Sequence, residues 1–393
     1  MEMNQSAQPV ASTIEILRKL VSFDTTSRHP NAPLIEWIGD YLNAHGVPFT
    51  LSRGPEDGKW NLHAILGTQG AGGLAFSGHV DCVPVDGQNW SSDPFTLREQ
   101  DGKLYGRGAA DMKGFVAAML AAIPRWRRQR LDKPVHLLIT FDEEITCNGA
   151  RYLMDDIIGR GLRPELCVVG EPTMMTPVIA HKGRLALRVN IVGRAAHSSH
   201  PEQGANAVHA MGRAIAIVAD EAERFAREGL RVDGFSPPYT TMQAGLASGG
   251  AILNIVPEKA SFDVEWRCVP GDKASQELAR LQHFFEPFDE ALRQYGPECG
   301  FFYEPLVDLP PLALSQDHPL TELVRQVTGS NQAGFVSYGT EAGIYQQAGM
   351  ASIVCGPGDI AQAHKPDEWI AISQLERCDD FLQEMVRRVC VLS

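Results

Sequence analysis

Five short stretches of this 393-residue chain carry side chains suited to one kind of chemistry. They are His79-Val80-Asp81, Asp111 after Gly106-Arg107-Gly108-Ala109-Ala110, Asp142-Glu143-Glu144, Glu171 between Gly170 and Pro172, and His364. Two imidazoles and several carboxylates form the donor set for a pair of hard-to-borderline divalent cations sharing a bridging carboxylate, and such a pair serves metal-assisted hydrolysis. In an extended segment residues i and i+2 share a face, so Asp81 can steer the His79 imidazole. Asp111 opens a long apolar pattern and reads equally well as a helix N-cap. Three consecutive acids repel one another unless cations are near, although a solvent-facing acidic loop would have the same composition. Adjacent glutamates point in different directions, so one can bind metal while its neighbour takes a proton from the attacking water. Glu171 and His364 gain their weight from arriving in order with the others.

The elements that must position these residues follow from periodicity. Helical spacing covers Ser12 to Phe23, Pro33 to Leu42 and Asp111 to Arg130, and β-rich runs cover Leu62 to Leu66, Leu74 to Ser77, Val135 to Phe141 and Leu166 to Gly170. That alternation predicts an α/β domain with a mainly parallel sheet, with four of the five stretches just after a strand or at a helix start. From Gly183 a βαββαβ order begins, ending in the strand Phe301 to Pro305, which predicts an inserted ferredoxin-like α+β lid domain. Helix Leu320 to Thr328, strand Ala351 to Cys355 and helix Ser373 to Val391 then return to the first style. The expected division is a discontinuous catalytic metal-binding domain at 1–182 and 297–393, with a lid and dimerisation domain at 183–296.

Bulk properties narrow the partners. A formal net charge of −13 argues against nucleic acid or an anionic membrane, since either needs a basic footprint. The densest positive cluster, Arg125-Trp126-Arg127-Arg128-Gln129-Arg130, closes a predicted helix, where cations suit the dipole. Eight scattered cysteines include no C-x-x-C pair, so neither a disulfide framework nor a structural zinc site is indicated. Residues 1–12 lack the apolar core of a signal peptide and no apolar run approaches a membrane span, so the cytoplasm is the expected location.

Taken together, Ser77-Gly78-His79-Val80-Asp81-Cys82-Val83-Pro84, Tyr105-Gly106-Arg107-Gly108, Asp111-Met112-Lys113-Gly114, Asp142-Glu143-Glu144 and Gly170-Glu171-Pro172 resemble the M20 peptidase family of dinuclear zinc amidohydrolases, over essentially the whole chain. The resemblance implies that His79, Asp111 and Glu171 bind one zinc and that Asp111, Glu144 and His364 bind the other, with Asp111 as the bridge and cobalt able to substitute. It implies that Asp81 orients His79 and that Glu143 is the general base. Gly193-Arg194-Ala195-Ala196-His197-Ser198-Ser199 is similar to the family's lid segment, whose histidine stabilises the tetrahedral oxyanion, often across a dimer interface. A homodimer is implied in the same way.

Ser337-Tyr338-Gly339-Thr340-Glu341-Ala342 and Cys355 to Glu368 look most like the acetylornithine deacetylase branch. The resemblance then implies hydrolysis of an N-acetyl amino acid, N2-acetyl-L-ornithine first, within arginine biosynthesis. Arg267 and Asn254 resemble substrate-binding positions, and a guanidinium can hold the α-carboxylate bidentately. Thr340 belongs to the same candidate set, and Glu341 is expected either to meet the ornithine ammonium or to open the helix Ala342 to Gln347. Acetylcitrulline, with a neutral urea in place of the ammonium, and N-succinyl-diaminopimelate are alternative substrates. A catalytically silent binding protein on the same scaffold, and a two-metal phosphoesterase, are the alternatives of other classes.

Overall fold

A computed structural model describes residues 12–68 and 72–391. By its internal contacts the chain forms two compact units, one of residues 1–179, 314–334 and 340–393, the other of 180–313 and 335–339. The expected division at 183–296 therefore ends too early. Strand Gly300–Leu309 pairs along its length with Gly183–Val192 and belongs with the second unit.

In the first unit, strands Phe49–Arg53, Trp60–Leu66, Val135–Thr140, Leu74–His79, Leu166–Pro172 and Ala351–Gly356 lie side by side in that order. The last four run parallel, whereas the first two are joined to the sheet by antiparallel pairing. The sheet is thus mixed where a mainly parallel one was expected. Phe49–Arg53 escaped notice because it is a half-exposed edge strand with no apolar run, formed as a hairpin with Trp60–Leu66. The parallel strands are buried along nearly their whole length, beneath helices Thr13–Val21, Gly114–Trp126 and Ile372–Cys390, which share one apolar core. Ser12 starts the first helix with a reciprocal capping box, its hydroxyl accepting from the Glu15 N–H while the Glu15 carboxylate accepts from the Ser12 N–H.

In the second unit, strands Thr241–Gly249, Lys259–Cys268, Gly183–Val192 and Gly300–Leu309 form an antiparallel sheet in that order. Helices Ala207–Glu228 and Ala274–Arg293 provide the crossovers, and Val218, Phe225, Leu281 and Phe285 from them join Leu187, Val189, Phe262 and Trp266 in a separate core. This is the βαββαβ order that the sequence pattern predicts. All eight cysteines are free and buried. Among the described residues no helix is long and apolar enough to cross a membrane.

Candidate metal centre

The parallel strands of the first unit deliver their polar residues at their C-terminal ends, where open α/β sheets collect their sites. His79 ends its strand and is fully buried. Its Nδ1 donates to the Asp81 backbone oxygen at 3.0 Å, with the Asp81 carboxylate at 3.4 Å. That fixes the ring and leaves Nε2 facing acids: Asp111 Oδ1 at 3.1 Å, Glu171 Oε1 at 3.8 Å and Glu143 Oε2 at 3.9 Å. The Asp81 carboxylate has a second use, accepting from Ser27 Oγ at 2.7 Å and from the backbone N–H groups of Glu143 and Glu144 at 3.1 and 3.3 Å. One carboxylate therefore ties the His79 strand to the acidic run.

Asp111 is not a helix N-cap. The helix begins at Gly114, and Asp111 sits before it in a non-helical turn entered through Gly108 at φ 78°, a left-handed conformation that glycine adopts without cost. The turn is held from below by Glu368, whose carboxylate accepts the N–H groups of Gly108, Ala110 and Asp111 at 2.9 to 3.1 Å and pairs with Arg107 Nη1 at 2.7 Å. Asp111 is thereby free to divide its oxygens, Oδ1 facing His79 and Oδ2 facing His364 Nε2 at 3.3 Å. His364, at φ 63°, also reaches Glu144 Oε2 at 2.9 Å. Beside Glu171, a Cβ on Gly170 would lie 2.0 Å from the Phe115 ring, so only glycine lets that strand end pack against the helix.

The electrostatics demand compensation. Burial, reinforced by neighbouring carboxylates, pushes Glu143 and Glu171 well above the usual carboxylate range and Glu144 up to about 7. Burial also opposes ionisation of Asp111 and protonation of His79, but hydrogen bonds outweigh it, those from His364 and His79 holding Asp111 low and those to Asp111 and Asp81 holding His79 high. Hydrogen bonds to Asp111 and Glu144 raise His364 to about 10. Left to itself the centre must gather protons to offset its acids, and divalent cations supply the same positive charge. Glu171 Oε1 is buried without a hydrogen-bond partner. Among the described residues two donor groups have the separation to hold an ion, His79 with Glu143 and Glu171, and His79 with Asp111 and Glu144. Imidazole nitrogens with carboxylate oxygens suit a divalent pair, and the residues fit such a pair.

Five residues expected as ligands, His79, Asp111, Glu144, Glu171 and His364, converge here together with Glu143 and Asp81. Thr340 and Glu341 turn inward in this unit, Glu341 against Ser77 of the strand that carries His79. The Thr340 hydroxyl accepts from Ala342 N–H at 3.1 Å, in the turn that leads into the short helix. Glu341 is 0% exposed and stands at the N-cap position of the helix Ala342–Gln347, with no capping hydrogen bond from that helix's backbone to its side chain. Its carboxylate is enclosed by Tyr345 and Ser77, because both offer hydroxyl donors that solvent does not reach. In the second unit His197 is exposed, and its Nδ1 accepts from the Ser199 N–H at 3.1 Å, which leaves Nε2 as the donor of a neutral ring. Asn254, also exposed, accepts at its backbone oxygen from Ser198 N–H, so these two expected residues share a loop cluster. Arg267 is held to Glu265 at 2.7 Å.

Sequence reasoning missed three supports. Glu368 and Arg107 lie inside the quoted motifs, but their pairing spans 261 residues. Ser27, which holds Asp81, follows the first helix with no signal of its own. Lys59 forms a buried ion pair with Asp142 at 2.5 Å, which explains the first acid of the triplet as structural.

Residues 75–388 match the model of peptidase family M20/M25/M40. The chain belongs to that family. Within it the chain falls in the acetylornithine deacetylase branch, being 35% identical over 386 residues to the acetylornithine deacetylase of Myxococcus xanthus, with 95% of this chain and 96% of that one covered. The acetylornithine deacetylase of Photorhabdus laumondii is 34% identical over 385 residues, with 96% and 97% covered. A tripeptidase from Staphylococcus aureus shares the fold at TM-score 0.71 and 19% identity, with 96% and 97% covered. An M20 family metallo-carboxypeptidase from Sulfolobus solfataricus does so at TM-score 0.71 and 18% identity, with 96% and 99% covered.

Proposed function

We propose that this metal-dependent amidohydrolase hydrolyses the amide of an N-acetyl amino acid, N2-acetyl-L-ornithine before others, to L-ornithine and acetate, as a step of arginine biosynthesis. The observation that carries the chemistry is the division of Asp111 between His79 and His364 with Glu143 alongside. The substrate rests on the names of the relatives.

His79, Asp111 and Glu171 would hold one zinc and Asp111, Glu144 and His364 the other, with cobalt able to replace it. When bound, the pair supplies Lewis acidity toward the acetyl carbonyl and the attacking water. Glu143 accepts a proton from that water as its oxygen bonds to the acetyl carbon. It then returns the proton to the departing nitrogen as the C–N bond breaks, so the products are a free amine and acetate. Asp81 keeps the His79 ring in place and aligns the Glu143 backbone. His197 donates from Nε2 to the oxyanion, from its own chain or a partner's, and Arg267 with Asn254 takes the substrate α-carboxylate. Thr340 acts by shaping the turn before the short helix. The second unit serves as a ferredoxin-like lid and as the contact of a homodimer, in a cytoplasmic enzyme.

The test is a panel of kcat/KM values on N-acetylornithine, N-acetylcitrulline, N-acetylmethionine and N-succinyl-diaminopimelate with zinc or cobalt supplied. Acetylornithine should lead. A preference for acetylcitrulline or the succinyl compound would replace the substrate, and no amidase activity in metal-loaded protein would end the reading.

A further inference from the structure

Beneath the strand ends that carry His79 and the acidic triplet lies a second layer of polar groups. Ser77, Thr140, Glu341 and Tyr345 are each 0% exposed. Tyr345 donates to Glu341 Oε2 at 3.1 Å, and Ser77 Oγ lies 3.3 Å from that oxygen and 2.7 Å from the Tyr345 hydroxyl. Ser77 stands two residues before His79 on one strand, so their side chains share a face. Thr140 is the register partner of His79 on the neighbouring strand, which leads directly into Asp142-Glu143-Glu144. The triangle of Glu341, Tyr345 and Ser77 therefore underlies the strand that carries His79, and Thr140 lies beside it at the end of the strand that leads to Glu143.

A carboxylate is a costly choice for this position. Packing alone would be met by leucine or methionine, whereas burying an acid carries a penalty of several kcal/mol unless its charge or its hydrogen bonds are used. Glu341 stands at the N-cap of the short helix, but its side chain is not used there, since no backbone N–H of that helix reaches it. It is not open to substrate either. Burial pushes it up to about 7, and its field reaches Glu143 while the charge on His79 reaches back to it. The side chain is thus electrically and mechanically connected to the centre without touching solvent.

We infer that Glu341 is a positioning residue: by fixing Ser77 and Tyr345 it sets the strand ends that aim His79 and Glu143, and it makes no contact with substrate. The inference rests on the function proposed above for one of its readouts, and the other is independent of it. Glu341→Gln, Tyr345→Phe and Ser77→Ala would be compared with the parent protein in zinc affinity by chelator competition, and in kcat and KM on N-acetylornithine and N-acetylmethionine. Zinc affinity should drop about tenfold or more, the size seen when partners behind metal ligands are lost. The value of kcat should fall by the same factor on both substrates, with KM unchanged. A KM increase confined to acetylornithine would make Glu341 a substrate contact and overturn the inference. Unchanged zinc affinity and kcat in folded Glu341→Gln would reduce it to packing. If that variant does not fold, Tyr345→Phe and Ser77→Ala carry the same test. A parent protein that binds zinc but hydrolyses neither compound would defeat the proposed function, while zinc affinity would still decide this one.

Discussion

The sheet of the first unit holds two sets of buried histidines with opposite fates. His79 is surrounded by carboxylates that draw its pKa up. His63 and His136 lie on neighbouring strands, stacked with ring centroids 5.2 Å apart, and their partners are each other, Arg160 and a backbone oxygen. The Arg160 guanidinium donates to His63 Nδ1, so His63 Nε2 donates to His136 Nδ1, and His136 Nε2 donates to the Gly72 oxygen. Every ring nitrogen is satisfied with both rings neutral. Burial first, then neighbouring positive charge, lowers His63 to about 3, and burial lowers His136 to about 4. Equal depth thus yields a site in one place and a structural joint in the other. Partners, not burial, separate a ligand from a strut.

The contrast can be broken at several points. The largest effect is expected for Glu143→Gln, which should keep its metal content by atomic absorption and lose about 10²- to 10⁴-fold in kcat. Turnover near normal would remove Glu143 from the base role. Glu368→Gln should follow, because the turn presenting Asp111 loses its charged anchor. A loss of about 10- to 100-fold in metal affinity or activity is expected, with a lower melting temperature, and a variant indistinguishable from the parent would show that the turn holds itself.

The structural pair makes a prediction of its own in acid. An imidazole with its folded pKa below the ordinary histidine value of about 6.5 stays neutral while the unfolded chain takes up a proton. The unfolded state therefore binds more protons between pH 6.5 and about 4, and stability, full above 6.5, falls as the pH drops through that window. The slope should be about 1.4 kcal/mol per pH unit for each histidine. Urea unfolding across this range should show a flatter profile in a His63→Phe, His136→Phe double variant, and identical slopes would contradict the assignment. The smallest effect belongs to Arg160→Met, for which about 1 to 3 kcal/mol of stability should be lost with kcat unchanged. A fall in kcat there would mean that the joint and the centre are coupled.

Much of the centre was legible in the chain because its ligands are short motifs at strand ends. His79 with Asp81, the Glu143-Glu144 pair and Glu171 each follow an apolar run that could be read as a strand, so both identity and placement were available. Asp111 was read in place but with its helix starting three residues early, since the apolar pattern continues through a turn that the distant Glu368 anchors. Glu341 was legible only in part, for a related reason. Its position before a helix was visible, but which way its side chain turns depends on Ser77, 264 residues distant. The half-exposed edge strand and the supports Ser27 and Lys59 had no periodicity to reveal them. Local pattern finds what a strand or helix imposes, and long-range pairing leaves no mark on its own neighbours.

The division of the first unit around the second has a consequence for biosynthesis. Asp111 is made early, with its first histidine partner, His79, but its second, His364, and the Glu368 anchor beneath it follow only after the whole second unit, Glu368 257 residues later. A chain grown only through the second unit holds His79 and most of the acids but not His364 or Glu368, so the centre can close only once that later segment has been made. Such distant closure is slow, and the growing polypeptide must stay soluble in the meantime with its acidic pocket unfinished.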